Sequence, residues 1–379
     1  MAIDNKDKKI LNVPHLRFPE FSGEWEMVSL QDIATINPKS DPLQNTFIYI
    51  DLEAVEKGEL RKIQEIMREE APSRAQRVID NNDILFQCVR PYQKNNYIHR
   101  ILNTSNQQWV ASTGYAQIRT TELPNYIYHL LNTDEFNRKV MVRCTGSSYP
   151  AINSEDLATI HLYYTPDKKE QLKISRLLDL LDKRIATQNK IIEKLQSLIK
   201  GLRVCCMQRV YGNNVYLSEI AQIYQPQTIS STELTEDGFL VYGANGIIGK
   251  YKDYNHETEQ ICITCRGNTC GMVNYTKPMS WITGNAMVIN TDKYQDKVCK
   301  RYLYHYLSAY NFNSIISGSG QPQIVRTPLE KLKITLPTIS EQKQKAIIFD
   351  KIQDKIDINH KVLNLCIGQK QYLLRQMFI

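Results

Sequence analysis

Two stretches of the chain place apolar residues at alternating spacings of four and three, the pattern of a helix that buries one narrow seam against a partner helix. In the first, the seam runs Ile174, Leu178, Leu181, Ile185, Gln188, Ile192, Leu195, Ile199 and Leu202. In the second it runs Lys345, Phe349, Ile352, Ile356, Asn359, Leu363, Cys366, Lys370 and Leu373, weaker and with a lysine near each end. Each position of the second lies 171 residues beyond its counterpart, since 345 − 174 = 171 = 373 − 202. The segments that open the two stretches repeat at the same distance: Pro166-Asp167-Lys168-Lys169-Glu170-Gln171 and Pro337-Thr338-Ile339-Ser340-Glu341-Gln342. Asp167 with Glu170, and Thr338 with Glu341, have the spacing of a capping box, which predicts two long helices that start alike. The single amides Gln188 and Asn359 fall at matching places, where an amide among apolar neighbours penalises slipped registers. Two amphipathic helices on separate cores remain the alternative, although a surface helix seldom holds so strict a seam.

The segments ahead of the helices also repeat. Leu30, Ile33, Ala34 and Ile36 match Leu217, Ile220, Ala221 and Ile223; Thr113 and Gly114 match Thr283 and Gly284. Tyr126, Tyr128, His129, Leu131, Phe136 and Asn137 match Tyr302, Tyr304, His305, Leu307, Phe312 and Asn313. Gly146, Pro150, Ile152 and Leu157 match Gly318, Pro322, Ile324 and Leu329. The offset between matches shifts along the chain, which places insertions in loops between shared elements. Asn37 to Arg100 finds no convincing counterpart in Gln225 to Lys277, so the pattern predicts one scaffold used twice with unlike loops. Strand-like runs at Phe47–Asp51, Asp83–Val89, Gln260–Thr264 and Trp281–Ile289, with helical Pro124–Val142 and Lys300–Ile316, make each segment a mixture of helix and strand whose topology the sequence leaves open. The predicted boundaries are 1–165 for the first domain, 166–212 for the first helix, 213–336 for the second domain and 337–379 for the second helix.

A length of 379 residues leaves room for two domains and their helices. Met1 to Lys9 is polar with no apolar signal core, and no run is long enough to span a membrane, which predicts a cytoplasmic protein with no membrane partner. Nine scattered cysteines read as reduced thiols. Cys262, Cys265 and Cys270 invite zinc, but a strand puts residues three apart on opposite faces, so no metal site is expected.

A net charge of +7 is modest for a nucleic-acid binder, and its distribution says more. Arg61, Lys62, Arg68, Arg74, Arg77, Arg90, Lys94 and Arg100 gather in the first half, with Tyr92, Asn95 and Tyr97 between them. Such a mixture suits a surface that tracks phosphates and reads bases, and suits a solvated charged face equally. In the second half, Tyr242-Gly243-Ala244-Asn245-Gly246-Ile247-Ile248-Gly249-Lys250 is a near miss to a phosphate loop, with five residues instead of four between Gly243 and Gly249 and Tyr251 where a hydroxyl should bind metal. A close approach to DNA or a tight hairpin explains its glycines better. Arg266, Gly267 and Asn268 follow a strand, and Arg suits guanine as Asn suits adenine. The loops Gly146-Ser147-Ser148-Tyr149-Pro150 and Gly318-Ser319-Gly320-Gln321-Pro322-Gln323 offer hydroxyls, amides and backbone donors to phosphate or base edges, or are connection turns that need small residues.

Catalytic patterns fail. Asn37-Pro38-Lys39-Ser40 lacks the second proline and aromatic of an amino-methyltransferase motif, Gly318-Ser319-Gly320 has the wrong spacing for a nucleophile elbow, and Pro166-Asp167 has no carboxylate and lysine partners for a nuclease. No catalytic residue is expected in this chain.

The whole arrangement resembles the specificity subunit of Type I restriction–modification systems. The likeness rests on the opening Leu16-Arg17-Phe18-Pro19-Glu20-Phe21 with Trp25, the two variable segments, and the repeated Pro…Glu-Gln helices. It implies an α+β protein with two α/β target recognition domains in pseudo-twofold arrangement, separated by two long antiparallel coiled-coil helices. It also implies double-stranded DNA as ligand, each domain reading half of a split site, with two methyltransferase subunits and restriction/translocase subunits as partners. No cofactor is then expected on this chain; S-adenosylmethionine, ATP and Mg belong to the partners. A helix from about Lys168 to about Arg209 would span roughly 60 Å, enough to hold two readers about one duplex turn, near 34 Å, apart. Leu177, Ile191 and Leu198 form a second apolar stripe that could dock partner subunits or meet the chain's own domains. From other classes, the alternatives are a coiled-coil protein-interaction scaffold without DNA binding and a DNA-modifying enzyme with diverged motifs.

Overall fold

The computed structural model describes residues 12–100, 107–208, 210–244, 246–318 and 320–379. The expectation for Met1 to Lys9, and the candidates Asn245 and Ser319, fall outside them. The chain forms two compact units, one running to Thr187 with Leu363–Ile379 added, the other Gln188–Val362. No helix among the described residues is long and apolar enough to cross a membrane.

In the first unit, strand Glu26–Ser29 pairs antiparallel with His161–Tyr164 and so joins the start of the domain to its end. Between them lie two four-stranded sheets. One has the order Ala34–Ile36, Tyr115–Thr120, Ile84–Gln87, Tyr97–Ile98; the other has Gln64–Met67, Thr46–Ile50, Gln108–Ser112, Ala75–Ile79, with Thr46–Ile50 and Gln108–Ser112 parallel. The second unit repeats the scheme. Asn213–Tyr216 pairs with Lys333–Leu336. One sheet has the order Gln222–Tyr224, Ala286–Asn290, Ile261–Thr264, Val273–Tyr275, and the other sets Phe239–Gly243 between antiparallel Gly246–Tyr251 and parallel Ser280–Ile282. The stretches that lacked sequence correspondence, Asn37 to Arg100 and Gln225 to Lys277, thus share a strand order, except that Ala75–Ile79 is reduced in the second unit to a single antiparallel bridge between His256 and Ser280.

Two runs depart from the single elements expected of their sequence. The run Trp281–Ile289 is two strands in different sheets, broken where Ala286 donates its N–H back to the Thr283 carbonyl. The run Pro124–Val142 is two helices, Pro124–Leu131 and Asp134–Arg143, because the Thr133 side chain accepts the Phe136 N–H and starts a new helix. Its counterpart is Lys300–Ala309 followed by a short turn of 3-10 helix, Phe312–Ile315.

The long helices are Lys168–Gln208 and Ile339–Gln376. Both take part in each unit, and within each they run antiparallel. In the first unit Ile174, Leu178 and Leu181 share a core with Leu373, Leu374 and Met377, while Asp182 meets Lys370 through its ammonium. That ion pair explains a lysine in the seam, since Asp182 neutralises it where it leaves water. In the second unit Leu195, Ile199 and Leu202 pack with Phe349, Ile352 and Ile356. Ile192 is also buried, whereas Ile185 and Leu363 are half-buried. The seam amides do not pair with each other. Asn359 donates to the Lys355 carbonyl one turn back in its own helix at 2.7 Å, and the Gln188 Oε1 is buried without a hydrogen-bond partner.

The repeated helix openings diverge in use. Thr338 and Glu341 form the expected capping box, with the Thr338 N–H donating to Glu341 at 3.0 Å and the Glu341 N–H donating to Thr338 Oγ1 at 3.4 Å. Asp167 caps its helix by accepting the Lys169 and Glu170 N–H groups, but Glu170 does not return the bond. Glu170 is instead fully buried and accepts from Arg17 Nε at 2.7 Å, Arg17 Nη2 at 2.8 Å and the Thr165 hydroxyl at 2.7 Å. A carboxylate out of water needs such partners. The glutamines that follow act alike. Gln171 accepts the Leu123 N–H at 3.3 Å and donates to Glu122 and to the Thr165 carbonyl, both at 2.7 Å. Gln342 accepts the Cys299 N–H at 2.8 Å and donates to the Lys297 and Pro337 carbonyls. Leu123 and Cys299 are the cap residues of Pro124–Leu131 and Lys300–Ala309, so each glutamine fastens a domain helix to its rod. A histidine–aspartate contact repeats beside it: His129 Nε2 to Asp179 at 2.8 Å and His305 Nε2 to Asp350 at 2.9 Å. Burial works against a charged Asp179, but hydrogen bonds from His129 and Asn125 outweigh it and hold the carboxyl below its usual value.

Candidate nucleic-acid interface

Each unit builds one loop assembly at the end of the central strand of its first sheet. In the first, the chain leaves strand Ile84–Gln87, Val89 bridges Ala151, and the Arg90 N–H donates to the Pro150 carbonyl at 2.7 Å. In the second, it leaves Ile261–Thr264, Arg266 bridges Gln323, and the Gly267 N–H donates to the Pro322 carbonyl at 2.9 Å. Thr145 pairs with Ala151, and Ser317 with Gln323, so both Gly-Ser loops are small hairpins laid against that strand end. Gly146 and Gly318 turn them with φ of +89° and +91°, a conformation that costs glycine nothing. Arg90 and Gly267 hold the equivalent place and share the left-handed conformation, φ +54° and +84°. An arginine held there is a strained choice that the glycine avoids.

In the first unit the assembly opens a groove of about 730 Å³ whose walls include Arg61, Arg74, Arg90, Asn95 and Tyr149. The Arg90 guanidinium lies 4.3 Å above the Tyr149 ring, which fixes its plane while leaving its donors free to point outward. Ser147 and Ser148 are exposed on the hairpin, and Tyr92 is exposed on the turn Pro91–Gln93. The Asn95 carbonyl oxygen accepts the Lys57 N–H at 3.0 Å, so its amide nitrogen is what remains to offer. Three predicted residues serve elsewhere. Lys94 Nζ pairs with Asp134 at 2.7 Å and Arg100 donates to Asn125. Arg77 lies half-buried in strand Ala75–Ile79, its Nε buried without a partner and its pKa lowered by burial.

In the second unit Arg266, Gln321 and Gln323 line a smaller recess with Ala244, Gly267 and Asn285, and Asn268 is exposed beside it. The glycine-rich segment is a hairpin, with Gly243 opposite Gly246, so the tight-turn reading holds. Tyr242 is corrected to a core residue: it is 5% exposed, packs with Cys262 and Ile282, and its hydroxyl accepts the Lys277 N–H at 3.1 Å. Lys250 stands next to Asp237, with Nζ 3.3 Å from the carboxylate. Cys262 and Cys265 belong to different cores, as opposite faces of one strand require. Sequence reasoning passed over Tyr149 as a platform for Arg90, and Asn285 beside Arg266. The only signal for the first was an aromatic inside a Gly-Ser loop.

Fold and loops together define a duplicated α+β protein: two domains of one topology, each carried on paired antiparallel helices and each presenting an arginine-bearing double loop. The pattern of the Type I restriction modification DNA specificity domain matches residues 22–197 and again 213–365, and the chain belongs to that family. It is similar to the type I restriction enzyme EcoprrI specificity subunit of Escherichia coli, 31% identical over 147 residues, or 38% of this chain and 36% of that one. It is similar also to the type I restriction enzyme HindI specificity subunit of Haemophilus influenzae, 23% identical over 186 residues, 48% of this chain and 37% of that one. The matched stretches thus span little more than a third of these curated relatives. Among solved structures, the Type I restriction–modification S subunit from M. genitalium shares the fold, with a TM-score of 0.68 at 15% identity over 97% of this chain and 99% of that one. A chain solved for the complex assembly and conformational transition of the type I R-M system gives 0.56 at 20% identity over 92% and 96%.

Proposed function

We propose that this chain reads DNA for a Type I restriction–modification complex, each domain contacting one half of a bipartite target through its double loop. In the first domain Arg90, braced on Tyr149, and Arg74 take phosphate or a base edge; Ser147, Ser148 and Tyr92 flank them. In the second, Arg266 suits guanine, while Asn268, Gln321 and Gln323 suit adenine. The observation that carries this reading is the repeat of one backbone frame in both domains with different exposed side chains on it, which is what two readers of unlike half-sites need.

The paired helices serve as spacer and scaffold in this reading. Ile191 and Leu198 are exposed on the first long helix and suit a methyltransferase subunit, whereas Leu177 packs against the first domain's own core. Methyl transfer, translocation and cleavage, with S-adenosylmethionine, ATP and Mg, fall to partner subunits. Gel shifts at fixed salt test the reading. Arg90→Ala and Arg266→Ala should each weaken binding to the cognate duplex by roughly tenfold or more, in line with about 1–3 kcal/mol per base-reading arginine. Unchanged affinity in both would refute it.

A further inference from the structure

The hairpin of Phe239–Gly243 and Gly246–Tyr251 carries two adjacent isoleucines in water, Ile247 at 53% and Ile248 at 45% exposure. Strict alternation would turn one of them inward. It does not, because the register slips between Val241 and Tyr242: Val241 faces Gly249, Tyr242 faces Ile247, and Ile248 is the extra residue of a bulge. Bulges re-aim side chains. Gly243, Gly246 and Gly249 surround the pair without side chains, and a Cβ on Gly243 would come within 3.0 Å of Ile248, so the glycine is what lets that isoleucine sit there. The pair projects from the glycine-rich turn end of the ribbon.

The ribbon adjoins the arginine loop. The Ala244 carbonyl accepts from the Thr264 and Thr269 hydroxyls, on either side of Arg266, and Ala244 itself lines the recess with Arg266, Gln321 and Gln323. The first domain repeats the feature: strand Gln64–Met67, which pairs with Thr46–Ile50 as Gly246–Tyr251 pairs with Phe239–Gly243, carries exposed Met67 and follows exposed Ile63. Arg61, two residues before Ile63, lines the groove with Arg90. Exposed apolar side chains beside cationic and amide groups are the equipment of proteins that slide a wedge between base pairs.

We propose that Ile247 and Ile248 are an apolar wedge with which the second domain unstacks and bends the duplex it reads. The inference rests on the DNA-reading function above. A wedge makes part of the specificity depend on how easily a step opens, which side-chain contacts alone would not.

The test uses the full chain with its co-expressed partner subunits and a duplex that it selects from a random pool, with 2-aminopurine scanned through the half-site read by the second domain. The wild type should raise fluorescence at one step. Ile247→Ser with Ile248→Ser should bring that signal down to the level of free duplex and weaken binding by roughly tenfold, while Ile247→Val with Ile248→Val should keep it. A bound duplex with no step of raised fluorescence, or a signal that survives the serine pair, overturns the wedge and leaves DNA reading intact. Loss of partner subunits from the serine variant with the signal unchanged also overturns it, and marks the patch as a protein contact. Failure to select any duplex sinks the DNA-reading function, and the wedge with it.

Discussion

Replacing Gln171 by leucine removes the fastening between a domain helix and its rod while nearly preserving shape. The glutamine is fully buried and makes three hydrogen bonds, two to neutral backbone groups and one to the Glu122 carboxylate. Leucine leaves the Leu123 N–H without that acceptor, at about 1 kcal/mol for a half-buried site, and deletes a charge-assisted bond whose loss costs about 1.5–3 kcal/mol. With the second backbone bond included, the total is about 3–5 kcal/mol. Gln342 bonds only neutral groups, so Gln342→Leu should cost less, about 2–3 kcal/mol. Hydrogen exchange read by mass spectrometry resolves the two sites in one chain. Gln171→Leu should deprotect Pro124–Leu131 and spare Lys300–Ala309; Gln342→Leu should do the reverse and more weakly. Equal deprotection of both helices in either variant, or none in both, would show that the glutamines fasten nothing.

Two further outcomes follow from buried charge. Arg17→Ala strands Glu170 with no cation, and breaking such a pair costs about 3–5 kcal/mol, so thermal melting of the first domain should fall by several degrees, whereas Arg17→Lys should recover part of it. Burial lowers the His99 pKa to about 4, with both ring nitrogens lacking hydrogen-bond partners. Its unfolded value is near 6.5, so its contribution to stability is full above pH 6.5, declines as the pH falls and levels off below about 4, a loss of about 3 kcal/mol. Urea melts of wild type and His99→Phe between pH 7 and 4 check this: the wild type should lose more stability over that window, and parallel curves would exclude the assignment.

The rods were legible because heptad spacing is a local signal that survives divergence; Leu178 and Phe349 are buried where their spacing put them. The shared strand order was not, for two physical reasons. Ile84–Gln87 and Ile261–Thr264 are buried on both faces, so neither shows alternation, and the topology is carried by backbone bonds that tolerate any apolar side chain. The loops were legible singly, as arginines beside turns, but not as one site. Arg90 corresponds to Gly267, and Arg266 to Val89, so the two arginines sit one residue apart on a common frame and no matching of residue types reveals it. The partner of Glu170, Arg17, lies 153 residues away in sequence, beyond any local pattern.

Because the double loops are tied together through main-chain atoms, their outward residues bear little of the burden of folding. Point changes at Arg266, Gln321 or Gln323 can therefore drift with small penalty, so the outward chemistry of each loop is free to change by a few letters while the architecture beneath stays put.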